Sequence, residues 1–207
     1  MILCGEICNF VNVTLILLNM TNIANAQNPF FEKYTIPYGT VPFDKIKNEH
    51  YEPAIREGIS RHDAEIAAII NNPEVPTFAN TIVTYEKSGQ LLNQVSTVFS
   101  NLLSAETNDD MQELAKTMMP LLSEHSNNIT LNEKLFARIK AVYNQKEQLA
   151  LTPEQKKLLE DIYNSFVRSG ANLEGEAKEQ YRALSKELSL PVSYTHLRAH
   201  ETRGNLV

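Results

Sequence analysis

The chain has 207 residues, 43% of them hydrophobic, which suffices for one packed domain or slightly more. Nineteen basic residues against 25 acidic ones leave a net charge of -6. No basic stripe stands out, so a surface built to neutralise nucleic-acid phosphates or anionic lipid is excluded. Seven glycines, no tryptophan and a predominance of helix-forming residues exclude a turn-rich β fold.

Met1 to Ala26 contains one charge, Glu6, and an apolar run from Phe10 to Met20 that is too short to span a bilayer. Ala24-Asn25-Ala26 follows as a small-residue cleavage site, so residues 1–26 read as a signal peptide, with Gln27 as the mature N-terminus. Export to the periplasm or the exterior is the corresponding expectation. The segment lacks the basic start usual in such signals. Cys4 and Cys8 both fall inside it, and its removal leaves no disulfide, thiol nucleophile or thiolate ligand.

Residues 27–48 carry Pro29, Phe30, Phe31, Tyr34, Pro37, Tyr38, Gly39, Pro42 and Phe43, which predicts an extended aromatic arm. A helical domain over 49–190 follows. Ile55, Ile59, Ile66 and Ile70 mark its first helix, which Asn71-Asn72-Pro73 ends. A second helix starts near Phe78, with Ile82, Tyr85, Leu92, Val95, Phe99 and Leu102 as its stripe and Gly89 as a tolerated weak point. Thr107 with Asp110 caps a third through Leu114, Met118 and Leu121, where Pro120 predicts a kink. Thr130 with Glu133 caps a fourth through Leu135, Ile139, Val142 and Tyr143. Thr152-Pro153-Glu154-Gln155 opens a fifth, carrying Leu158, Leu159, Ile162 and Phe166 and ending at Gly170. A sixth, near Glu174 to Leu188, carries Tyr181, Leu184 and Leu188. Six antiparallel helices with short connections make an all-α bundle or stack, without a repeat period.

Residues 191–207 break this pattern. Val192 to Thr202 back-translates to a transposase adapter of short-read sequencing libraries, so the native sequence is expected to stop near Leu190. His196 and His200 fall in this tail. Their H-x-x-x-H spacing invites a zinc assignment, but the zincin general base is replaced by Leu197 and no third ligand is present. His50, His62 and His125 lie far apart and read as surface or helix-end histidines. Ser100, Ser104 and Ser123 lack a nucleophile elbow, and Glu106, Asp109 and Asp110 suit a helix N-terminus. No residue is assigned a catalytic or metal-binding role, and the substrate-binding residues stay open.

Four runs carry a family resemblance: NPFFEKYTIPYGTVPFDKI (Asn28 to Ile46), HYEPAI (His50 to Ile55), NPEVPTFANTI (Asn72 to Ile82) and SFVRSGANL (Ser165 to Leu173). In order and spacing they resemble the N-terminal region of the peptidyl-dipeptidase, oligopeptidase A and thimet oligopeptidase family, most closely its bacterial peptidyl-dipeptidases. The resemblance implies a zinc metallopeptidase of two helical lobes around a narrow channel, with this segment part of one wall. It also implies short unstructured peptides as substrates, released as C-terminal dipeptides. The family's HExxH helix and further Glu match no position here, so zinc belongs to the longer parent chain and none is expected on this segment. The implied partners are peptides and the C-terminal catalytic region, with neither nucleic acid nor, after signal cleavage, membrane. The alternative is a self-standing, non-enzymatic helical binding module.

Overall fold

A computed structural model describes residues 28–35, 37–185 and 187–188. The signal segment with Cys4 and Cys8, and the tail with His196 and His200, lie outside the described residues. Within them the chain is all-α, with no strand. No described helix is long and apolar enough to cross a membrane.

Short 3-10 turns at Pro29–Phe31 and Pro37–Gly39 shape the arm. Asn28 fixes the first of them. Its Oδ1 accepts from Phe30 N at 3.1 Å, and its Nδ2 donates to His50 O at 2.8 Å, which seats Phe30 in the core. Helix α1 spans Asn48–Ile70 and passes through Pro53. Lys47 N donates to His50 Nδ1 at 3.0 Å, so His50 is a helix-end residue.

Thr77 and Asn80 exchange side-chain and backbone bonds and open a π-helical turn at Phe78–Val83, continued by one α-turn at Thr84–Glu86. The continuous second helix expected across Gly89 does not form. Gly89 adopts a left-handed φ of +68°, which a helix interior excludes, and α2 starts afresh at Gln90–Ala105.

Helix α3 (Asp109–Thr130) is capped by Asn108, whose side chain accepts from Met111 N at 2.9 Å. The Thr107 cap is thereby displaced by one residue, and Thr107 Oγ1 is buried without a hydrogen-bond partner. Helix α3 continues through Pro120. Helix α4 (Glu133–Tyr143) is capped by Asn132 and not by Thr130, which ends α3. Each Asn side chain accepts from the amide three residues on, Met111 N and Leu135 N, whereas Thr130 Oγ1 donates back to Ser126 O. Helix α5 (Pro153–Arg168) has the Thr152–Gln155 capping box read from sequence, and Gly170 past its end has a positive φ.

The last described helix, α6 (175–185), turns a different face inward from the Leu stripe. Lys178 is buried and donates to Glu133 Oε1 at 2.7 Å, while Leu184 and Leu188 are exposed. Arg182 to Asn128 at 2.7 Å and Ser185 to Asn127 at 3.2 Å join Lys178 in setting the rotation.

Tyr51 meets Phe99, Gly58 meets Leu92 and His62 meets Gly89, so α1 and α2 are antiparallel. A Cβ on Gly58 would lie 3.0 Å from Leu92 Cα, so this approach depends on glycine. Helix α3 comes back parallel to α1, with 110–117 beside 48–57, His125 beside His62 and Asn128 beside Ala67. The three helices therefore run up, down and up, with successive ones antiparallel and α1 and α3 parallel.

Two apolar clusters result. An arm-side core gathers Phe30, Tyr51, Ala54, Ile55, Val95, Phe99, Met111 and Met118. A C-terminal core gathers Ile66, Ile69, Ile82, Ile129, Leu135, Ile139, Leu159 and Phe166. Helices α1 and α3 run through both.

Candidate functional site

Two places on the described surface bring polar groups together. The first is an open groove of about 800 Å³ between the N-terminal halves of α1 and α3. Glu49, Glu52, Glu57, Asp110 and Glu113 line it, with Pro53, Leu114 and Thr117 between them. Arg56 is its one lining cation, and Glu52 Oε1 accepts from both Arg56 Nε and Nη2, at 2.9 and 2.7 Å. The carboxylates sit near two helix N-termini, where the backbone dipole favours negative charge. Geometry here gives an acidic trough without a nucleophile or base in a special setting.

The second lies where the two cores meet. His62 of α1 falls between Ile55 and Ile66, and His125 of α3 between Met118 and Ile129, so each imidazole occupies the seam. His125 is 6% exposed. His62 Nδ1 and His125 Nε2 are 3.0 Å apart, with the rings edge to face. His62 Nε2 lies 3.1 Å from Ser88 Oγ, and His125 Nδ1 lies 3.3 Å from Asp63 Oδ1. Ser88 Oγ itself donates to Tyr85 O at 2.6 Å. One residue on, Gly89 N donates to Glu65 Oε2 at 2.7 Å.

This order fixes the proton positions. The Ser88 proton is committed to Tyr85 O, so Ser88 Oγ accepts from His62 Nε2–H. His62 Nδ1 is then the lone pair that accepts from His125 Nε2–H. Burial lowers the pKa of both rings. At His62 the neighbouring His125 adds to the lowering and Glu65 and Asp63 oppose it; at His125 Asp63 opposes it.

The arrangement resembles a nucleophile relay only in outline. A nucleophilic serine donates to its histidine, whereas Ser88 accepts from it, and the adjacent Gly89 amide is already bound. Nor do these groups suit zinc. Ser88, His62, His125 and Asp63 follow one another in a line and do not converge on a point, and zinc needs three or four donors around it. Among the described residues, no group of three or more His, Cys, Asp or Glu could hold a metal ion. Ser100, Ser104 and Ser123 lie on α2 and α3 outside this seam, and Asp109 and Asp110 occupy the first turn of α3.

Sequence reasoning read His62 and His125 as unrelated. They are 63 residues apart, and only the parallel return of α3 beside α1 brings them together. A legible signal did exist, since each histidine interrupts an apolar stripe on its helix.

The four family-like runs occupy structural positions: the Asn28 turn, the Tyr51–Ile55 core segment, the Thr77 cap and the α5 terminus with buried Ala171. Over 183 residues the chain is 42% identical to the dipeptidyl carboxypeptidase of Escherichia coli, covering 87% of this chain and 27% of that protein. It is 40% identical to the dipeptidyl carboxypeptidase of Salmonella typhimurium over 78% of this chain and 24% of that one. This segment belongs to the dipeptidyl carboxypeptidase and oligopeptidase A family. Oligopeptidase A of Haemophilus influenzae follows at 29% identity over 73% of this chain and 22% of that protein. The chain spans about a quarter of the length of these curated relatives. No family model matches it.

Proposed function

We propose that this segment forms part of one wall of a substrate channel in an exported zinc peptidase that removes dipeptides from the C-termini of short, unstructured peptides. The observation that carries this reading is the 42% identity to a dipeptidyl carboxypeptidase across nearly the whole segment. The catalytic groups and the zinc belong to the rest of the protein, because the donors found here do not fit the metal. This segment contributes shape: two fused helical cores make a stiff wall that excludes folded proteins. The acidic groove offers carboxylates that would repel a peptide's C-terminus and attract cationic side chains, so recognition of the free C-terminal carboxylate falls to other parts of the protein.

The test uses the full-length gene product with peptides carrying free or amidated C-termini. Stepwise dipeptide release from the free form, abolished by a chelator and restored by zinc, is the expected result. Equal cleavage of both forms would replace the dipeptidase mode with an endopeptidase one. No hydrolysis by a zinc-loaded, folded protein would favour a binding module.

For export, cleavage after Ala26 is proposed, efficient once two lysines follow Met1 to supply the missing basic start. N-terminal sequencing of the secreted protein reads it. Retention of Met1 in a cytoplasmic product that carries the lysines would reject the assignment.

A further inference from the structure

The seam between the cores holds a buried titratable cluster that the peptidase reading leaves without a role. Three separate elements meet there: α1 through His62, Asp63 and Glu65, α3 through His125, and the turn before α2 through Ser88 and Gly89. That turn is also held by Ser88 N donating to Tyr85 O at 3.0 Å and by Gly89 N donating to Glu65 Oε2 at 2.7 Å. Its backbone is left-handed at Gly89, and it rests directly on the His62 ring, which a Cβ at Gly89 would meet at 2.8 Å.

The geometry points to the His62–His125 pair as a proton-operated latch that fastens the Ser88–Gly89 turn to the paired helices when the pair carries at most one positive charge and releases it when both rings are charged. The reason is a count of lone pairs. The two facing nitrogens, 3.0 Å apart, form a hydrogen bond only if one of them is bare. With no extra proton, His125 Nε2–H donates to His62 Nδ1. A first proton is accommodated on His125 Nδ1, which faces the Asp63 carboxylate at 3.3 Å. A second proton has one place to go, His62 Nδ1. It would set N–H against N–H between two cations in a partly buried site, and His62 must then swing away. Its bond to Ser88 Oγ is lost with it.

The charged groups around the pair do not cancel this step. Asp63 and Glu65 on α1 both favour protonation, yet Asp63 is placed on the far side of His125, and Glu65 is engaged by the Gly89 amide. Arg61 lines the same small cavity as His62 and is paired with Glu57, its Nε donating to Glu57 Oε1 at 2.7 Å. The start of α2 presents only the neutral Gln90 and Gln94 there, and α3 supplies the second imidazole itself.

Burial lowers both titrations from the ordinary imidazole value of 6.5, and at His62 the neighbouring His125 adds to the lowering. For groups whose folded-state pKa is depressed, the unfolded chain binds the protons more readily. The latch is therefore fully fastened above about pH 6.5 and its contribution is lost as pH falls below that value.

The test is amide exchange of the 207-residue chain at pH 7.5 and 5.5, corrected for intrinsic exchange rates, in the wild type and in His125→Gln. Gln keeps a donor toward His62 but cannot be charged. The Gly89 amide of the wild type should lose protection at the lower pH. Amides of α5 should keep theirs, and His125→Gln should keep most of the Gly89 protection. An equal loss in the variant, or no loss in the wild type, overturns the latch. If the variant does not fold, imidazole Cε1–H titration of the wild type decides. Two interacting titrations below 6.5 that track Gly89 protection support the latch, and independent rings at the ordinary value refute it.

Discussion

In the arm-side core Phe30, Tyr51 and Phe99 form a tilted ladder, with ring centroids 5.3 and 5.2 Å apart. In the C-terminal core Phe136 stacks nearly parallel on Phe166 at 6.1 Å, and Tyr143 on Tyr163 at 3.8 Å. Of these rings only Phe30 comes from outside an α-helix. Three successive capped elements close the C-terminal core, and the helices α4 and α5 hold their faces in register. The arm-side core is closed by a short turn whose ring is steered by Asn28 alone, so its aromatic packing depends on a few polar bonds. The lesson is that equal burial does not imply equal resilience.

The sharpest way to break the comparison is Phe166→Ala. Phe166 is 1% exposed and contacts both Phe136 and Tyr85, so the cavity should cost about 3–5 kcal/mol in urea denaturation. Phe30→Ala removes an equally buried ring, but the arm can settle into the space. A loss of roughly 1.5–3 kcal/mol is expected, close to the transfer value alone. If the two substitutions cost the same, the arm is as rigid as a helix and the contrast fails.

Between the cores, Gly89→Ala imposes a left-handed alanine, about 1–2 kcal/mol, and drives a methyl into His62. Its signature should be weakened protection of the Ser88–Asn93 stretch, with the α5 amides unaffected. The smallest effect is expected for Thr152→Ala. It removes the cap that accepts from Gln155 N and should cost about 1 kcal/mol, confined to the start of α5 in amide exchange.

How much was legible varies with the range of the interaction. The Thr152–Pro153–Gln155 start of α5 was fully readable, because every partner lies within four residues. Asn108 and Asn132 were missed as caps in favour of Thr107 and Thr130. Two polar residues stood within two positions of each other at each junction, and only the backbone angles select between them. The rotation of α6 was missed for a longer-range reason. Its Leu stripe looked like a core face, but Lys178 bonds to Glu133, 45 residues away, and turns Leu184 outward.

By itself the sequence determined that the chain is helical, where most helices lie, that no zinc ligand set is spelled out along it, and which peptidase family it belongs to. Those properties are local, or are carried by short runs such as NPEVPTFANTI and SFVRSGANL, and so survive reading in one dimension. The tertiary structure alone decided that Gly89 breaks the second helix, that the apolar stripes divide into two cores, and that His62 meets His125 in the seam between them. The Gly89 break rests on contacts with His62 and Glu65 of α1, and the other two depend on the parallel return of α3 beside α1, relations between distant segments that no periodicity encodes.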